Sequence, residues 1–434
     1  MSSTAPPVAT ALSTCVHQLL SPEKDVSFAE LAGVRVLVRC DLNVPLKTGA
    51  NGAKAVADRE RVDASLPLLH SLVGRGARVV VASHLGRPKS DKDTDCSLAP
   101  VAELLQAALG AHFLGLASDV TGLSARALVT QLLDGQLCLL ENTRFDPRDE
   151  ANDAGLAQEL ASLCNVFVLD GFGVSHRAQA SVSGVARCLP TSCRFPGPLV
   201  RRELQFLGAA LDAPRRPFGV VLGGMKVKDK LGVLWALIRK ADVIIVGGKM
   251  AFTFLAALGV AVGATQIEAD RLEDARAMKA AADSAGVRLL LPCDVLSTTS
   301  LDAPRDAHVV LLHRDCCSAQ SPCLPADAFG ADIGPVSAAA FEDAIAGCAT
   351  LLWNGPMGKF EVDAFSEGTS RVMRALARAH DEQGATVVAA GGDSVAALNA
   401  AGLSSSFTHI STGGGASLQL LEGTAMPGLE ALLN

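Results

Sequence analysis

Short apolar runs alternate with longer amphipathic stretches along the whole chain of 434 residues. This alternation is typical of βαβ units, in which helices cover the faces of a parallel sheet. We therefore expect an α/β fold of two lobes, each a mostly parallel sheet covered by helices on both faces. The pattern predicts strands over residues 34–40, 78–83, 137–141, 166–170, 218–222, 243–246, 288–292, 350–353, 386–390 and 408–411.

Polar or glycine-rich motifs follow nearly every predicted strand. The first four are DLN, HLGR, NTR and GFG, and later ones include GGMK, GGK, NGP, GGD and TGGG. Ligands of open α/β sheets bind beyond the carboxyl ends of the strands. The sequence therefore predicts binding sites at these ends.

Residues 196–230 are the predicted junction between the lobes. A helix begins near Pro198 and places four apolar side chains on one face, namely Val200, Leu204, Leu207 and Leu211. After the strand at 218–222, the two glycines at 223 and 224 allow close approach of an anion to backbone N–H groups. A lysine-rich helix start is expected next, with Lys226 and Lys230 on one face because they are four residues apart.

The two halves of the chain carry different chemistry. Before residue 196 the strand ends supply arginine and histidine, which suit a small ligand with several negative charges. After it they supply glycine pairs with a few Lys, Asp and Glu, which suit a nucleotide polyphosphate. One lobe for each substrate is the layout of a hinge-closing transferase.

The expected division is an N-terminal extension at 1–33, a substrate domain at 34–196, an inter-domain helix at 197–212, a nucleotide domain at 213–415 and a C-terminal segment at 416–434 that returns to the first domain. A chain this long exceeds the size of one core. Two acidic residues have alternative readings. Asp393 is a Mg²⁺ ligand or a helix N-cap, and Glu361 binds ribose hydroxyls or is a solvated loop acid.

The composition limits the kinds of binding partner that we expect. The net charge of −7 argues against nucleic acid, and no apolar run is long enough to span a membrane. Most cysteines, such as Cys40, Cys138, Cys164 and Cys348, lie in apolar runs and indicate reduced, buried thiols. For Cys316, Cys317 and Cys323, a zinc site is an alternative interpretation. The first 25 residues indicate a disordered tail or, alternatively, a plastid or other organelle address; otherwise we expect a cytoplasmic protein.

Eleven motifs in order resemble the phosphoglycerate kinase family from about Val34 to the C-terminus. They are RCDLNVP, SHLGRP, LLENTRF, DGFGVSHRA, LGGMKVKDK, GGKMAFTF, LLPCD, GADIGP, WNGPMGKFE, AGGDS and HISTGGGASLQLLEG. No Walker A motif or strand-following GxGxxG is present, which disfavours P-loop NTPases and Rossmann dehydrogenases. The resemblance implies phosphoryl transfer from 1,3-bisphosphoglycerate to ADP with Mg²⁺, giving 3-phosphoglycerate and ATP, by a monomer.

The resemblance also implies residue roles. For 3-phosphoglycerate it indicates Asp41, Leu42, Asn43, Arg61, His84, Leu85, Gly86, Arg87, Arg144 and Arg177. For the nucleotide it indicates Gly223, Lys226, Lys230, Gly330, Asn354, Glu361, Gly391, Gly392, Asp393 and Ser394, with Asp393 also binding the metal. Arg61, Lys226 and Lys230 would be catalytic.

The chain departs from the family pattern at a few positions. Lys249 replaces a usual glycine and is expected to crowd the adenine wall, and Lys359 replaces an apolar residue beside Glu361. No departure removes a catalytic charge, so we expect an active enzyme. Two alternatives are a catalytically impaired relative kept as a binding or scaffold protein, and an unrelated nucleotide-dependent ligase of similar layout.

Overall fold

The structure is a computed structural model that describes residues 8–49, 52, 54–90, 93–302, 306–312 and 324–434. The chain divides into two compact units. The first runs to Gln205 and also contains Thr424–Asn434, and the second is Phe206–Gly423. Cys316, Cys317 and Cys323, the candidate zinc ligands, lie outside the described residues.

The first unit contains a parallel sheet whose strands are ordered β5-β6-β4-β1-β7-β8 and a small antiparallel pair, β2-β3. The strands are β1 Arg35–Arg39, β2 Leu46–Thr48, β3 Lys54–Val56, β4 Arg78–Ala82, β5 Phe113–Leu116, β6 Leu137–Leu139, β7 Val166–Leu169 and β8 Arg194–Pro196. Alternate β1 residues point to opposite faces, yet Val36, Leu37 and Val38 are all buried. Both faces of the sheet are therefore covered.

The first seven helices in chain order are α1 Val8–Leu19, α2 Glu60–Gly74, α3 Ala99–Leu109, α4 Leu123–Gln131, α5 Ala154–Ser162, α6 Val185–Arg187 and α7 Pro198–Asp212. Leu69 and Leu72 of α2 join Val36 and Val38 in one core cluster. The predicted helix at the junction is confirmed as α7, with Val200, Leu204 and Leu207 fully buried. The division between the units falls within α7.

The second unit contains a parallel sheet ordered β11-β10-β9-β15-β16-β17 and an antiparallel sheet ordered β13-β12-β14. The strands are β9 Phe218–Leu222, β10 Val243–Val246, β11 Arg288–Leu290, β12 Asp294–Thr298, β13 His308–Leu311, β14 Phe329–Ile333, β15 Thr350–Asn354, β16 Thr386–Ala390 and β17 His409–Ser411. The helices are α8 Leu231–Ile238, α9 Gly248–Ala257, α10 Leu272–Ser284, α11 Pro335–Ala346, α12 Glu367–Gln383, α13 Gly392–Ala401 and α14 Gly415–Glu422.

The C-terminal residues complete the first unit with a last helix, α15 Pro427–Glu430, which packs against α1. Arg194 donates to the carbonyl oxygens of Ala431 and Asn434 at 2.9 and 2.8 Å. Lys24 Nζ donates to the carbonyl oxygen of Leu432 at 2.9 Å. These bonds fix the end of the chain.

The predicted fold class is confirmed, and each of the ten predicted strands is present to within one or two residues at each end. The tail prediction is wrong for residues 8–19, because α1 buries Leu12, Cys15, Val16 and Leu19 at helical spacing. Strands β5 and β8, the antiparallel pair β2-β3 and the antiparallel sheet β13-β12-β14 were not predicted. Cys40, Cys138, Cys164 and Cys348 are buried and free, as expected. Among the described helices, none has the length and apolar character needed to cross a membrane.

Candidate active site

The arginine-bearing motifs of the first unit meet at one edge of its sheet. They follow strands β6, β4, β1 and β7, which are direct neighbours and run parallel. Because parallel strands have their carboxyl ends at the same edge, the loops after them lie side by side. The sheet thus gathers residues that are up to 136 positions apart in the chain, from Asp41 to Arg177.

The loop after β1 contacts helix α2 and the loop after β4. Arg61 Nη1, in the first turn of α2, lies 2.9 Å from Asp41 Oδ1. Asn43 Oδ1 accepts from Gly86 N at 2.8 Å, and Leu42 N donates to Ser83 Oγ at 2.9 Å. Asp41, Leu42, Asn43, Arg61 and Gly86 are therefore brought together.

A fully buried asparagine, Asn142, joins the loop after β4 to the loop after β6. Its Oδ1 accepts from Leu85 N at 3.1 Å and from Arg144 N at 3.0 Å, and its Nδ2 donates to the carbonyl oxygen of Leu85 at 2.7 Å. Arg144 Nη1 donates to the carbonyl oxygen of Gly86 at 2.6 Å. Asn142 was not predicted as a site residue, although it bonds directly to two that were, Leu85 and Arg144.

His84 lies in the middle of positive charge. Burial is the main cause that lowers the pKa of His84 to about 2, and the positive charges of Arg39, Arg144, Arg177 and Arg61 contribute to the same shift. Burial also lowers the pKa of Arg144, and the charges of Arg177 and Arg87 act in the same direction. The predicted cations therefore share one neighbourhood, and its repulsion is relieved by a ligand with several negative charges. The fully buried Arg39 was not predicted.

A cavity of about 550 Å³ lies in the second unit. Three of the predicted nucleotide residues, Gly330, Glu361 and Asp393, are part of its lining. Gly330 forms a flat wall with the Phe252 ring, since a methyl group at this position would overlap the ring. The cavity therefore has two carboxylates on its lining, those of Glu361 and Asp393, and an apolar wall.

Lys230 connects two further predicted residues of this unit, Gly223 and Asn354. Its Nζ donates to the carbonyl oxygens of Gly223 and Asn354, at 2.5 and 2.7 Å. Burial lowers the pKa of Lys230 to about 8, and the Asp393 carboxylate opposes this shift. Ser394 Oγ accepts from Gly355 N at 2.7 Å, next to Asn354. The ammonium group is thus held among carbonyl oxygens that follow β9 and end β15.

The expected lysine-rich helix start is wrong. Residues 228–230 form a short 3₁₀ turn, and α8 begins only at Leu231. Lys226 precedes that turn and is exposed, whereas Lys230 is buried, so the two lysines do not share a helix face. The reason is local: Gly223 and Gly224 leave the strand in an irregular loop before helical hydrogen bonding starts. Lys226 is not among the residues that line the cavity.

The first turn of α13 presents backbone N–H groups beside the Asn354 side chain. Gly391 has φ 92°, which favours glycine, and it is the N-cap residue, so the reading of Asp393 as N-cap is wrong. Asp393 lies in the first turn and is exposed. Asn354 Nδ2 is buried without a hydrogen-bond partner in the described structure. An unpaired donor beside a helix N-terminus is a favourable place for an anion.

The two unusual lysines line the same cavity. Lys249 Nζ donates to Gln266 Oε1 at 2.8 Å, and Lys359 Nζ donates to Asp302 Oδ1 at 2.8 Å. Lys249 is therefore held against a neighbouring side chain, and its effect on an adenine ring stays a prediction.

A second cavity, of about 690 Å³, lies in the first unit but is lined by none of the predicted residues. Its charges are neutralised within the lining, because Arg148 pairs with Asp146 at 2.7 Å and with Glu159 at 3.0 Å. We therefore place the candidate site at the arginine cluster and not in this cavity.

The first unit has a parallel sheet with a cationic edge, and the second unit has a parallel sheet and a glycine-lined cavity. This combination is typical of the class of two-domain kinases that act on small anionic acceptors. The chain belongs to the phosphoglycerate kinase family, since the family model described as "Phosphoglycerate kinase" matches residues 25–424. It is a phosphotransferase with a carboxyl group as acceptor, and it depends on ATP and ADP.

Individual relatives support this membership. The chain is 46% identical over 412 residues to the phosphoglycerate kinase of Synechococcus sp. (strain JA-2-3B'a(2-13)), covering 93% of this chain and 96% of the relative. It is 44% identical to that of Chlorobium chlorochromatii, with 95% and 100% covered. The solved structure of phosphoglycerate kinase from Coxiella burnetii has a TM-score of 0.82 at 35% identity, covering 94% and 98%.

Proposed function

We propose that this chain performs its family's reaction, the reversible Mg²⁺-dependent transfer of a phosphoryl group from 1,3-bisphosphoglycerate to ADP, by binding one substrate on each unit. The observation that carries the proposal is the cluster of four guanidinium groups around a neutral His84. Arg61 pairs with Asp41 and Arg144 pairs with Glu150, so carboxylates of the protein offset part of this charge. 3-Phosphoglycerate carries both a phosphate and a carboxylate, which suit the positive charge that remains.

On the first unit, Arg87, Arg144 and Arg177 hold the phosphate of the acid, and Asp41 and Asn43 accept from its hydroxyl group. The Arg61 side chain is 36% exposed. It is therefore available to neutralise the transferred group. Leu42, Leu85 and Gly86 shape the loops that carry these side chains.

On the second unit, the nucleotide occupies the 550 Å³ cavity, with its base against the wall of Gly330 and Phe252 and its ribose near Glu361. Its phosphates lie toward Gly223, Asn354 and the first turn of α13, where Gly391, Gly392 and Ser394 provide the backbone. Lys230 contributes a buried cation and the exposed Lys226 a second one.

Asp393 fits a Mg²⁺ ion bound with the nucleotide. The described residues contain no cluster of three or more His, Cys, Asp or Glu side chains that could hold a metal. Mg²⁺ commonly uses one or two carboxylates together with phosphate oxygens and water, so a single exposed aspartate beside the phosphates is sufficient. When bound, the ion would offset phosphate charge.

Phosphoryl transfer requires the donor and acceptor oxygens in line and the developing charge neutralised. We propose that Arg61 of the first unit and Lys226 of the second both offset the charge of the transferred group.

The test of the whole assignment is turnover with 3-phosphoglycerate and Mg-ATP in a coupled assay. Arg144→Ala should lose 3-phosphoglycerate binding while keeping nucleotide binding. Arg148→Ala is the matched control, because Arg148 lies at the other cavity and is paired there. Folded protein without turnover would favour the alternative of a catalytically impaired relative, which no observation described above supports. The cytoplasmic location, the monomeric state and the absence of nucleic-acid and membrane partners stay predictions.

A further inference from the structure

One ring nitrogen of the buried His84 faces a guanidinium group. Arg39 Nη2, at the end of β1, lies 3.3 Å from His84 Nδ1. A guanidinium has only N–H donors and no acceptor, so it can bond to an imidazole nitrogen only where that nitrogen carries a lone pair. Nδ1 is therefore the acceptor. In a neutral ring the proton must then be on Nε2.

The guanidinium of Arg39 is itself held on its other sides. Nε donates to Ser181 Oγ at 3.1 Å, and Nη1 donates to the carbonyl oxygen of Cys40 at 2.5 Å. Ser181 is in turn fixed by Asp149, which accepts from its backbone N at 2.7 Å and from its Oγ at 3.1 Å. Arg39 is fully buried and cannot turn away from His84 without breaking these bonds.

We propose that Arg39 is a positioning residue that holds neutral His84 in the Nε2–H form, so that Nε2 donates a hydrogen bond to an oxygen of the anionic substrate. The opposite tautomer would present a lone pair to the anion and would repel it. The donation part of this proposal rests on the proposed function, whereas the tautomer part does not. The arrangement supplies a directional donor that stays neutral among the surrounding arginines.

The tautomer is measured directly by NMR of the full-length protein labelled with ¹⁵N in histidine. Correlations between ring protons and ring nitrogens distinguish a protonated Nε2 from a protonated Nδ1, and the signal absent from His84→Gln identifies the residue. We expect the Nε2–H pattern in the free protein from about pH 6 to about pH 8. An Nδ1–H or doubly protonated pattern would overturn the proposal whether or not the protein turns over 3-phosphoglycerate.

Two variants test the role of Arg39. Arg39→Lys keeps a donor-only group and should keep the Nε2–H pattern, whereas Arg39→Met should give a mixture of tautomers. If Arg39→Met fails to fold, Ser181→Ala replaces it, since it removes the bond that orients the guanidinium. A pure Nε2–H pattern in the folded Arg39→Met variant would show that Arg39 does not determine the tautomer. The same pattern in Ser181→Ala would show that the bond from Ser181 is not what holds Arg39 against His84.

Donation to the substrate is tested by exchanging the imidazole for amides. The amide nitrogen of His84→Gln reaches the position of Nε2, whereas that of His84→Asn reaches only the position of Nδ1. We expect KM for 3-phosphoglycerate to rise by about 10–100-fold in His84→Asn, with a smaller rise in His84→Gln. Equal rises, or an Nε2 signal that does not shift when 3-phosphoglycerate is added, would overturn the donation.

Discussion

The substitution Arg61→Ala tests whether this cation neutralises the transferred group. In the structure the Arg61 side chain makes a 2.9 Å ion pair with Asp41 and is 36% exposed. Ion pairs with this degree of exposure contribute about 0.2–1 kcal/mol to stability. The free energy of unfolding should therefore fall by no more than about 1 kcal/mol, and the fold should remain intact.

Turnover should respond far more strongly than stability. Loss of one preorganised donor to a developing charge raises a reaction barrier by about 3–4 kcal/mol, which lowers kcat by about 10²–10³-fold. The coupled assay gives kcat at saturating 3-phosphoglycerate and Mg-ATP, and thermal unfolding of the same sample gives the stability. The two readouts separate a catalytic role from a structural one.

Arg59→Ala is the matched control for this experiment. Arg59 precedes Arg61 by two residues, is more exposed, and pairs with Asp63 of the same helix at 2.8 Å. Its kcat should stay close to that of the unmodified protein. Activity of Arg61→Ala within tenfold of the unmodified protein, or an equal loss in Arg59→Ala, would refute the charge-neutralisation argument.

Three further predictions concern single side chains. Burial lowers the pKa of Lys230 to about 8, so its positive charge is lost as the pH rises through that value. KM for the nucleotide should therefore rise above about pH 8, and Lys230→Arg should abolish this pH dependence. An unchanged pH dependence in Lys230→Arg would contradict the assignment of Lys230 to the nucleotide site. Lys249→Gly should tighten nucleotide binding or leave it unchanged, as measured by calorimetry. Clearly weaker binding would mean that Lys249 binds phosphate. Burial raises the pKa of Asp170 to about 7 from 3.8, so the folded state binds more protons and stability falls as the pH rises between these values. Asp170→Asn should therefore raise Tm by roughly 2–4 °C or more at pH 8 and by less at pH 4, and equal shifts would refute the argument.

The parallel sheets could be predicted because their strands are continuous apolar runs that end at glycine or polar motifs. The strand Phe218–Leu222 is buried at every position and carries no polar side chain, so it can be recognised as a strand from its sequence alone. The strand Phe113–Leu116 is buried only at Phe113, and Arg194–Pro196 has only three residues and a proline. Their pairing depends on adjacent strands, and local sequence does not contain that information.

The candidate site was predicted in part for the same reason. Motifs at the carboxyl ends of neighbouring strands must meet, which placed Asp41, His84 and Arg144 together. Asn142 and Arg39 were missed because they act through buried hydrogen bonds. The partner of Arg39, Ser181, is 142 residues away in the chain. A four-residue spacing also suggested one helix face for two lysines, but it could not show that the helix begins after both.

The most direct test of the account is crossed binding by calorimetry, since its central claim is that each unit binds one substrate. Arg177→Ala should lose affinity for 3-phosphoglycerate and keep affinity for Mg-ADP, and Asp393→Asn should show the reverse. Loss of both ligands by either folded variant, or loss of neither, would contradict the claim.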